Sequence, residues 1–186
     1  MSKLIYWVHT SVDGHIDGPN GEFDWTEMGP ELSAYGDEVH ATVGTFLYGR
    51  VVWEMMSSYW PTADQISDHP HDLKFASIWR STPKVVFSST LKDADWNTRI
   101  ISGDLAEEVA ELKRQAGKDL LLNGGSRLAS ALTELGLIDE YNIMVHPVVL
   151  GGGKPLFLPQ KERIGLRLSG TRTFDSRTVL LRYDRP

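Results

Sequence analysis

Two short stretches of this chain place glycine and arginine between an apolar run and a helical pattern. They are Gly124, Gly125, Ser126 and Arg127, after LLLN, and Gly49 and Arg50, after TFLY. Glycine lets a backbone approach a ligand closely, and the first turn of a helix offers N–H groups that bind anions. Each stretch could therefore bind a phosphate. The alternative at each is a strand–helix turn that uses glycine for its geometry alone.

The charges that follow these glycines separate the two interpretations. The helix predicted after Ser102-Gly103 begins with Asp104 and has Glu107 in its first turn, so it caps itself. By contrast, the helix after Gly125 has no acid before Glu134, and the one after Gly49 has none before Glu54. An arginine near the positive end of a helix is mildly unfavourable by itself, so its presence there makes sense if an external anion supplies the negative charge. A cofactor with several phosphates, such as NADPH, would use both stretches.

Three further segments could contribute to the same site. Ser88 and Ser89 follow the apolar run KVVF and could bond a ribose or phosphate, although capping a local turn is the commoner fate of such serines. The polar loop after the first strand is interpreted as a lid, with Asp13 near the chemistry and Trp25 as an apolar wall; a hydrated loop is the alternative. Trp53 is assigned to the substrate pocket together with Trp25.

Three patterns that resemble metal or nucleotide sites are rejected. The loop from Asp13 matches several EF-hand positions, but histidine occupies the third and Asp24 the twelfth, where glutamate is needed. His69 and His71 lack a third nearby ligand and are assigned to an exposed loop. The run LGGGKP has proline after Lys154, where a phosphate-binding Walker loop needs serine or threonine. It is predicted to be a flexible loop against a ligand or a plain connection. We expect no metal site.

Composition limits the remaining classes. The chain has 186 residues, a net charge of −6 and no cysteine, which excludes disulfides, thiol nucleophiles and cysteine zinc sites. The acidic balance argues against a nucleic-acid binder, and no apolar run has transmembrane length. We expect one soluble, cytoplasmic domain spanning residues 1–186.

Strand and helix patterns alternate along the chain. Predicted strands include KLIYWVH, VHATVGTFLYG, KVVFSS, DLLLN and EYNIMVHPVVL, with two closing strands around Asp175-Ser176. A short helix near Glu31–Asp37 and helices beginning at Arg50, Asp72, Asp104 and Arg127 connect them. This alternation predicts an α/β fold, with a mostly parallel mixed sheet, helices on both faces and an antiparallel carboxyl-terminal edge. Ligands bind beyond the carboxyl ends of such strands, where the glycine stretches fall.

The order of these motifs resembles the dihydrofolate reductase-like superfamily, and more closely the reductase domain of bifunctional riboflavin-biosynthesis deaminase-reductases. The resemblance rests on SVDGHIDGPNGEFDW, GRVVWE, LLLNGGSRLASALTELGLIDEY and PVVLGGGKPLF. It implies a three-layer fold, an NADPH site and hydride transfer to a heterocycle. By motif matching, Gly49 and Arg50 would face the cofactor phosphates, Ser88 and Ser89 its adenosine end, and the stretch Gly124–Arg127 its pyrophosphate.

Two departures from the family pattern concern the substrate. Val52 stands where dihydrofolate reductases have threonine, and the Asp-Pro segment that positions a ribose phosphate in riboflavin reductase domains is replaced by GRVVWEMMSSYWP. The sequence therefore predicts an NADPH-dependent reductase of a pyrimidine or pterin-like small molecule, homodimeric as the resemblance implies. Asp13 or a water would assist protonation, with His9 as a further candidate. The alternative is a non-catalytic nucleotide-binding protein that keeps the fold.

Overall fold

One eight-stranded sheet runs through the molecule. The computed structural model describes residues 1–115 and 117–186. The strands are β1 (Leu4–Thr10), β2 (Val43–Gly49), β3 (Lys84–Phe87), β4 (Thr98–Ile101), β5 (Asp119–Asn123), β6 (Glu140–Val145), β7 (Arg167–Phe174) and β8 (Thr178–Asp184). Their order is β4-β3-β2-β5-β1-β6-β8-β7. The pairs from β4 to β6 are parallel, whereas β8 runs antiparallel to both β6 and β7. The predicted mixed sheet with an antiparallel carboxyl-terminal edge is confirmed.

Helices connect the parallel strands. They are α1 (Pro30–Thr42), α2 (Arg50–Tyr59), α3 (Ala63–Ile66), α4 (Pro70–Ser81), α5 (Leu105–Gln115) and α6 (Ser126–Glu134), and a 3₁₀ turn (Trp60–Thr62) joins α2 to α3. In the described part of the chain, none of these helices has the length and apolar character needed to span a bilayer.

Alternation along the strands directs two cores to opposite faces of the sheet. On β1, Tyr6 packs on one face and Trp7 on the other. The first core takes its helical residues from α5 and α6: Val109, Leu112, Leu128, Ala129 and Leu132. The second takes them from α1, α2 and α4: Leu32, Tyr35, Trp53, Phe75 and Trp79. Helices therefore cover both faces, as the sequence predicted.

Three local predictions were wrong. The segment from Val39 to Thr42, predicted as the start of a strand, completes α1, which begins at Pro30, one residue from the predicted start, but runs five residues past the predicted end at Asp37. The four-residue strand β4 was missed, since so short a run shows no clear period. His71, assigned to an exposed loop, lies in the first turn of α4, where it is buried and hydrogen-bonds Ser33 at 2.9 Å.

Candidate functional site

The predicted site segments lie side by side along the carboxyl edge of the sheet. Neighbouring strands β3, β2, β5, β1 and β6 end there in that order. At this edge β3 is followed by Ser88-Ser89, β2 ends in Gly49 before Arg50, and β5 is followed by Gly124–Arg127. The loop 11–29, called the first loop, follows β1, and His146 follows β6. At ~4.8 Å per strand, this row is roughly 19 Å long, enough for an extended dinucleotide. A separate depression of about 560 Å³ lies at the opposite edge, against Lys84, Trp96 and Arg99.

The amino termini of α2 and α6 touch each other at the centre of this edge. Gly124 and Gly125 both have left-handed backbones, with φ of +55° and +82°. A Cβ at Gly125 would lie 3.2 Å from Val52 Cγ2 of α2, and one at Gly49 would lie 3.7 Å from Leu128 Cβ of α6. The close approach of the two helix ends therefore depends on glycine.

These two helix ends differ from the others in their caps. The carboxylate of Asp175 accepts hydrogen bonds from two amides of α1, at 3.0 and 3.1 Å, and His69 caps α4. Asp104 accepts from two amides of α5, both at 3.0 Å, as the sequence predicted. Within the described chain, α2 and α6 have neither a side-chain cap nor an acid in the first turn. Two adjacent positive helix ends therefore face outward without a protein anion.

The arginines of these helices are placed differently. Arg50 is exposed and pairs with Glu54, four residues along α2, at 2.9 Å. Arg127 is also exposed, and it makes no ion pair with any residue that the structure describes. A ligand anion would compete with Glu54 for Arg50 but would meet Arg127 directly.

A buried amide adds a residue that sequence reasoning missed. Asn123 ends β5 and is 8% exposed. Its Nδ2 has no hydrogen-bond partner among the residues that the structure describes. Since side chains alternate along a strand, Asn123 projects to the same face as Leu121 and its neighbour Trp7 on β1. An unsatisfied buried donor costs about 1–3 kcal/mol, so this one is suited to a ligand acceptor. The asparagine preceding the two glycines was the available sequence signal.

Two predicted hydroxyl contacts are engaged within the protein. Ser126 is buried, and its hydroxyl donates to the carbonyl of Pro155. One turn later Ser130 accepts from the Leu158 amide at 2.9 Å. Helix α6 therefore anchors the segment 146–166 between β6 and β7, which we call the late loop. Ser88 Oγ accepts from the Leu91 amide at 3.0 Å, the local turn that was the alternative for this residue. The exposed Ser89 remains a predicted contact.

The first loop and the late loop are joined. Asp13 accepts from the amides of Leu150 and Gly151, at 3.0 and 2.8 Å. Hydrogen bonds from the Ser11 side chain and from these two amides hold the pKa of Asp13 below its usual range. Buried Asp17 binds both the amide and the ammonium group of Lys154. The geometry thus gives Asp13 a loop-anchoring role, in a carboxylate that stays ionised, and its catalytic role remains a prediction.

A pair of histidines closes the other end of the row. His9 of β1 and His146, just after β6, are hydrogen-bonded between Nδ1 and Nε2 at 2.8 Å. Trp25 packs edge-on against His146, with ring centroids 5.6 Å apart. Trp25 therefore lies at the carboxyl edge, where an apolar wall was predicted.

Trp53 does not reach this edge. It is 8% exposed in the core beneath α2, and its indole donates to Thr98 at 3.2 Å. Thr98 begins β4, so the indole is directed toward the amino ends of the strands. The substrate assignment of Trp53 is therefore corrected to a core role, because the residue lies on the apolar stripe of α2 and not at its amino terminus.

The fold of this chain has counterparts in known proteins. Residues 2–180 match the family model described as the RibD C-terminal domain. The chain belongs to the RibD C-terminal domain family. Among curated proteins, the uncharacterized protein YyaP of Bacillus subtilis is 38% identical over 181 residues, which cover 97% of this chain and 94% of the relative. YwjB of the same organism, also uncharacterized, is 29% identical over 98% of each chain.

Solved structures share the RibD-like fold. A Shewanella protein, whose name links it to riboflavin biosynthesis, superposes with a TM-score of 0.79 at 22% identity, over 100% of this chain and 99% of its own. RibD of Acinetobacter baumannii superposes with a TM-score of 0.71 at 19% identity, and the match covers 100% of this chain but 58% of RibD. The dihydrofolate reductase-like architecture predicted from the motifs is thereby confirmed.

Proposed function

We propose that this chain is an NADPH-dependent reductase that acts on a heterocyclic small molecule of pyrimidine or pterin type. The observation that carries the proposal is the contact between the uncapped amino termini of α2 and α6 on the carboxyl edge. Such a pair suits a pyrophosphate, because the first-turn amides of two helices lie close together and each of these turns carries an arginine. Membership of the RibD C-terminal domain family supports the same assignment.

The residues along the edge fit this cofactor. Gly125 and Gly49 keep the approach open, and Arg127 offers a guanidinium that no carboxylate of the described chain neutralises. The unpartnered Asn123 amide provides a donor in a buried position beside the glycine turn. When bound, NADPH supplies the hydride; the protein contributes orientation, electrostatics and exclusion of water.

The protein's own share divides along the row of strand ends. The amides of α2 and α6, with Arg50 and Arg127, would hold phosphates. Trp25 would shield the cleft from water at the β1–β6 end, above the histidine pair. The joined loops fix the lid because Asp13 and Asp17 tie its backbone to residues 150–154. Because GRVVWEMMSSYWP replaces the Asp-Pro segment of riboflavin reductase domains, we assign no residue to a ribose phosphate. The proposed substrate class is therefore a pyrimidine or pterin-like compound.

One observation favours the second candidate, a nucleotide-binding protein without turnover. Hydride transfer to a heterocycle needs a proton, yet Asp13 is held as a carboxylate and both histidines are hydrogen-bonded within the protein. In the reductase the proton would therefore come from water. In the binding protein it would not be needed.

Cofactor titrations separate the candidates. NADPH and NADH are added to the protein while quenching of the six tryptophans is followed. We expect NADPH to quench, and we expect Arg50→Ala and Arg127→Ala to weaken binding. Arg114→Ala is a control matched to Arg50→Ala, since Arg114, like Arg50, is exposed, helical and ion-paired but lies in the last turn of α5. The absence of quenching by either cofactor contradicts the site itself. Binding without oxidation of NADPH on a pyrimidine and pterin panel favours the second candidate.

The resemblance also leads us to propose a homodimer. Sedimentation equilibrium of the full chain at micromolar concentration checks this directly. A mass of one chain across the concentration range contradicts it.

A further inference from the structure

Four side chains form a continuous hydrogen-bonded chain across the ends of three strands. The indole Nε1 of Trp7 lies 3.2 Å from Nε2 of His9, and Nδ1 of His9 lies 2.8 Å from Nε2 of His146. Nδ1 of His146 then lies 3.4 Å from the hydroxyl of Thr178. Every ring nitrogen of the two histidines thus has a partner inside the protein.

The indole fixes the direction of this chain. An indole N–H can only donate, so Nε2 of His9 must be an acceptor. A neutral imidazole has one donor and one acceptor, and Nδ1 of His9 therefore donates to Nε2 of His146. By the same argument Nδ1 of His146 donates to Thr178. Both rings must therefore be neutral Nδ1–H tautomers. A second proton would have to sit on Nε2, where it would face the indole N–H of Trp7 in the case of His9 and the Nδ1–H of His9 in the case of His146.

The surroundings favour the neutral form. Burial, together with the positive charge of Arg177, lowers the pKa of His146 to about 4. Burial is also the main cause that lowers the pKa of His9, followed by His146 and by His71 of α4. Arg177, in the turn between β7 and β8, makes an ion pair with Glu27 of the first loop at 3.1 Å. The titratable and charged groups near the two histidines are therefore Arg177, Glu27 and His71 of α4.

The loop residue Trp25 packs against His146 of this pair. Its ring meets that of His146 at 85°, and the His9 and His146 rings are 5.0 Å apart. The segment around Trp25 is mostly polar and partly exposed. The Trp25 ring also meets Phe23 of the same segment, at 5.5 Å, so the contact with buried His146 is what links this ring to the sheet. His9 and His146 are separated by 137 residues, and their bond links the end of the first strand to the start of the late loop.

We infer that His9 and His146 are a neutral positioning pair, which holds Trp25 over the carboxyl edge and does not donate a proton to a ligand. This inference rests on the proposed function only in identifying that edge as the cofactor cleft. The tautomers and the placement of Trp25 belong to the cofactor-free protein and can be measured there.

Nitrogen NMR of the cofactor-free full chain tests the tautomers. The protein is labelled with ¹⁵N-histidine, and the two rings are assigned from the signals lost in His9→Gln and His146→Gln. We expect both rings as Nδ1–H tautomers, unchanged from pH 8 to pH 5.5. An Nε2–H tautomer in either ring, or a titration near the ordinary midpoint, overturns the inference.

Substitutions test the positioning role. In His146→Gln the amide can still accept from His9 and donate to Thr178, whereas His146→Leu removes both bonds. We expect the Trp25 indole resonance to keep its position in His146→Gln and to shift toward that of exposed indole in His146→Leu. His69→Gln, at an exposed histidine, is the control and leaves it unchanged.

The same variants are then titrated with NADPH. We expect His146→Gln to retain affinity within 3-fold and His146→Leu to lose about 10-fold. If the wild-type protein does not bind NADPH, the proposed function fails, while the tautomer result still decides the inference. If His146→Leu does not fold, the NMR titration and His146→Gln decide it alone: loss of the Trp25 position in His146→Gln overturns it.

Discussion

Val52 packs its two methyl groups over the turn that Gly125 forms before α6. A Cβ at Gly125 would be 3.2 Å from Val52 Cγ2, and the backbone there has φ of +82°. The two helix amino termini at the candidate cofactor site are thus held together by a contact that only glycine permits without adjustment. Val52 stands where dihydrofolate reductases have threonine, so this packing replaces a hydroxyl.

Gly125→Ala should both destabilise the protein and weaken cofactor binding. The left-handed backbone costs an alanine about 1–2 kcal/mol, and the contact with Val52 adds to this. Urea unfolding measures the stability, and tryptophan quenching measures NADPH affinity. Gly21→Ala is the control, because Gly21 has φ of +81° with nothing within 4 Å of its added Cβ. The two variants losing equal affinity would contradict the site.

Arg127→Ala should weaken NADPH binding more than Arg50→Ala does. Arg50 already has Glu54 as a partner, so its guanidinium is partly neutralised, whereas Arg127 has none in the described chain. We expect about 10-fold loss for Arg127→Ala, equivalent to ~1.4 kcal/mol, and a smaller loss for Arg50→Ala. Repeating the titration at rising salt should reduce the difference, since exposed charges are screened. Equal affinity in wild type and Arg127→Ala would mean that the phosphates lie elsewhere.

Asp13→Ala should loosen the first loop, and Asp13→Asn should loosen it less. The amide oxygen of asparagine can still accept from Leu150 or Gly151, but alanine cannot. Limited proteolysis within residues 11–29 measures this. Because the pKa of Asp13 is depressed, wild-type protection should be constant above its ordinary pKa of 3.8 and decline only in more acidic solution. A general acid contributes 10²–10⁴-fold, so a loss of this size in turnover by Asp13→Asn, with protection intact, would assign catalysis to Asp13.

Acid should destabilise the protein partly through His146. The unfolded histidine takes up a proton near pH 6.5, whereas the folded ring resists until about pH 4. Stability is therefore complete above pH 6.5 and falls as the pH drops toward 4, by about 1–3 kcal/mol from this ring. His146→Gln should have a shallower decline in urea unfolding free energy between these values. His40, whose pKa burial also lowers to about 4, maintains part of the slope in both proteins.

Replacing the two tryptophans assigned to the substrate should give opposite results. Trp53→Ala removes a buried core side chain, so we expect a loss of ~3 kcal/mol in unfolding free energy. Trp25→Ala removes a partly exposed ring at the carboxyl edge and should cost little stability, while reducing both NADPH quenching and affinity. Equal destabilisation by the two variants would contradict the core role of Trp53.

The parts of the site that sequence predicted are the local ones. The absence of acid after Gly49 and Gly125, and the self-capping of α5 by Asp104, can be seen within one helical turn and were confirmed. The strand and helix order followed from periodicity for the same reason. Local patterns do not show a distant partner: the amino terminus of α1 is capped by Asp175, more than 140 residues away, which accepts from the amides of Glu31 and Leu32.

Most of the remaining contacts of the site could not be predicted, because their partners lie far apart along the chain. The Ser126 hydroxyl donates to the Pro155 carbonyl, and Asp13 accepts from the amides of Leu150 and Gly151. No local sequence pattern predicts these partners. The His9–His146 bond joins residues on different strands. Asn123 is visible in the sequence before the two glycines, but the missing partner of its amide can be seen only in the fold, since an amide becomes unsatisfied when burial removes its water.

The central position of β1 has a consequence for synthesis of the chain. Its neighbours are β5 and β6, so that Leu4 pairs with Leu120 and Ile5 with Glu140. At about 5–20 residues per second, a ribosome needs roughly 6–25 s to add the residues between β1 and these partners. During that interval an apolar strand with two open edges is exposed on the nascent polypeptide. Chaperone contact with this segment should therefore last until β5 has left the exit tunnel.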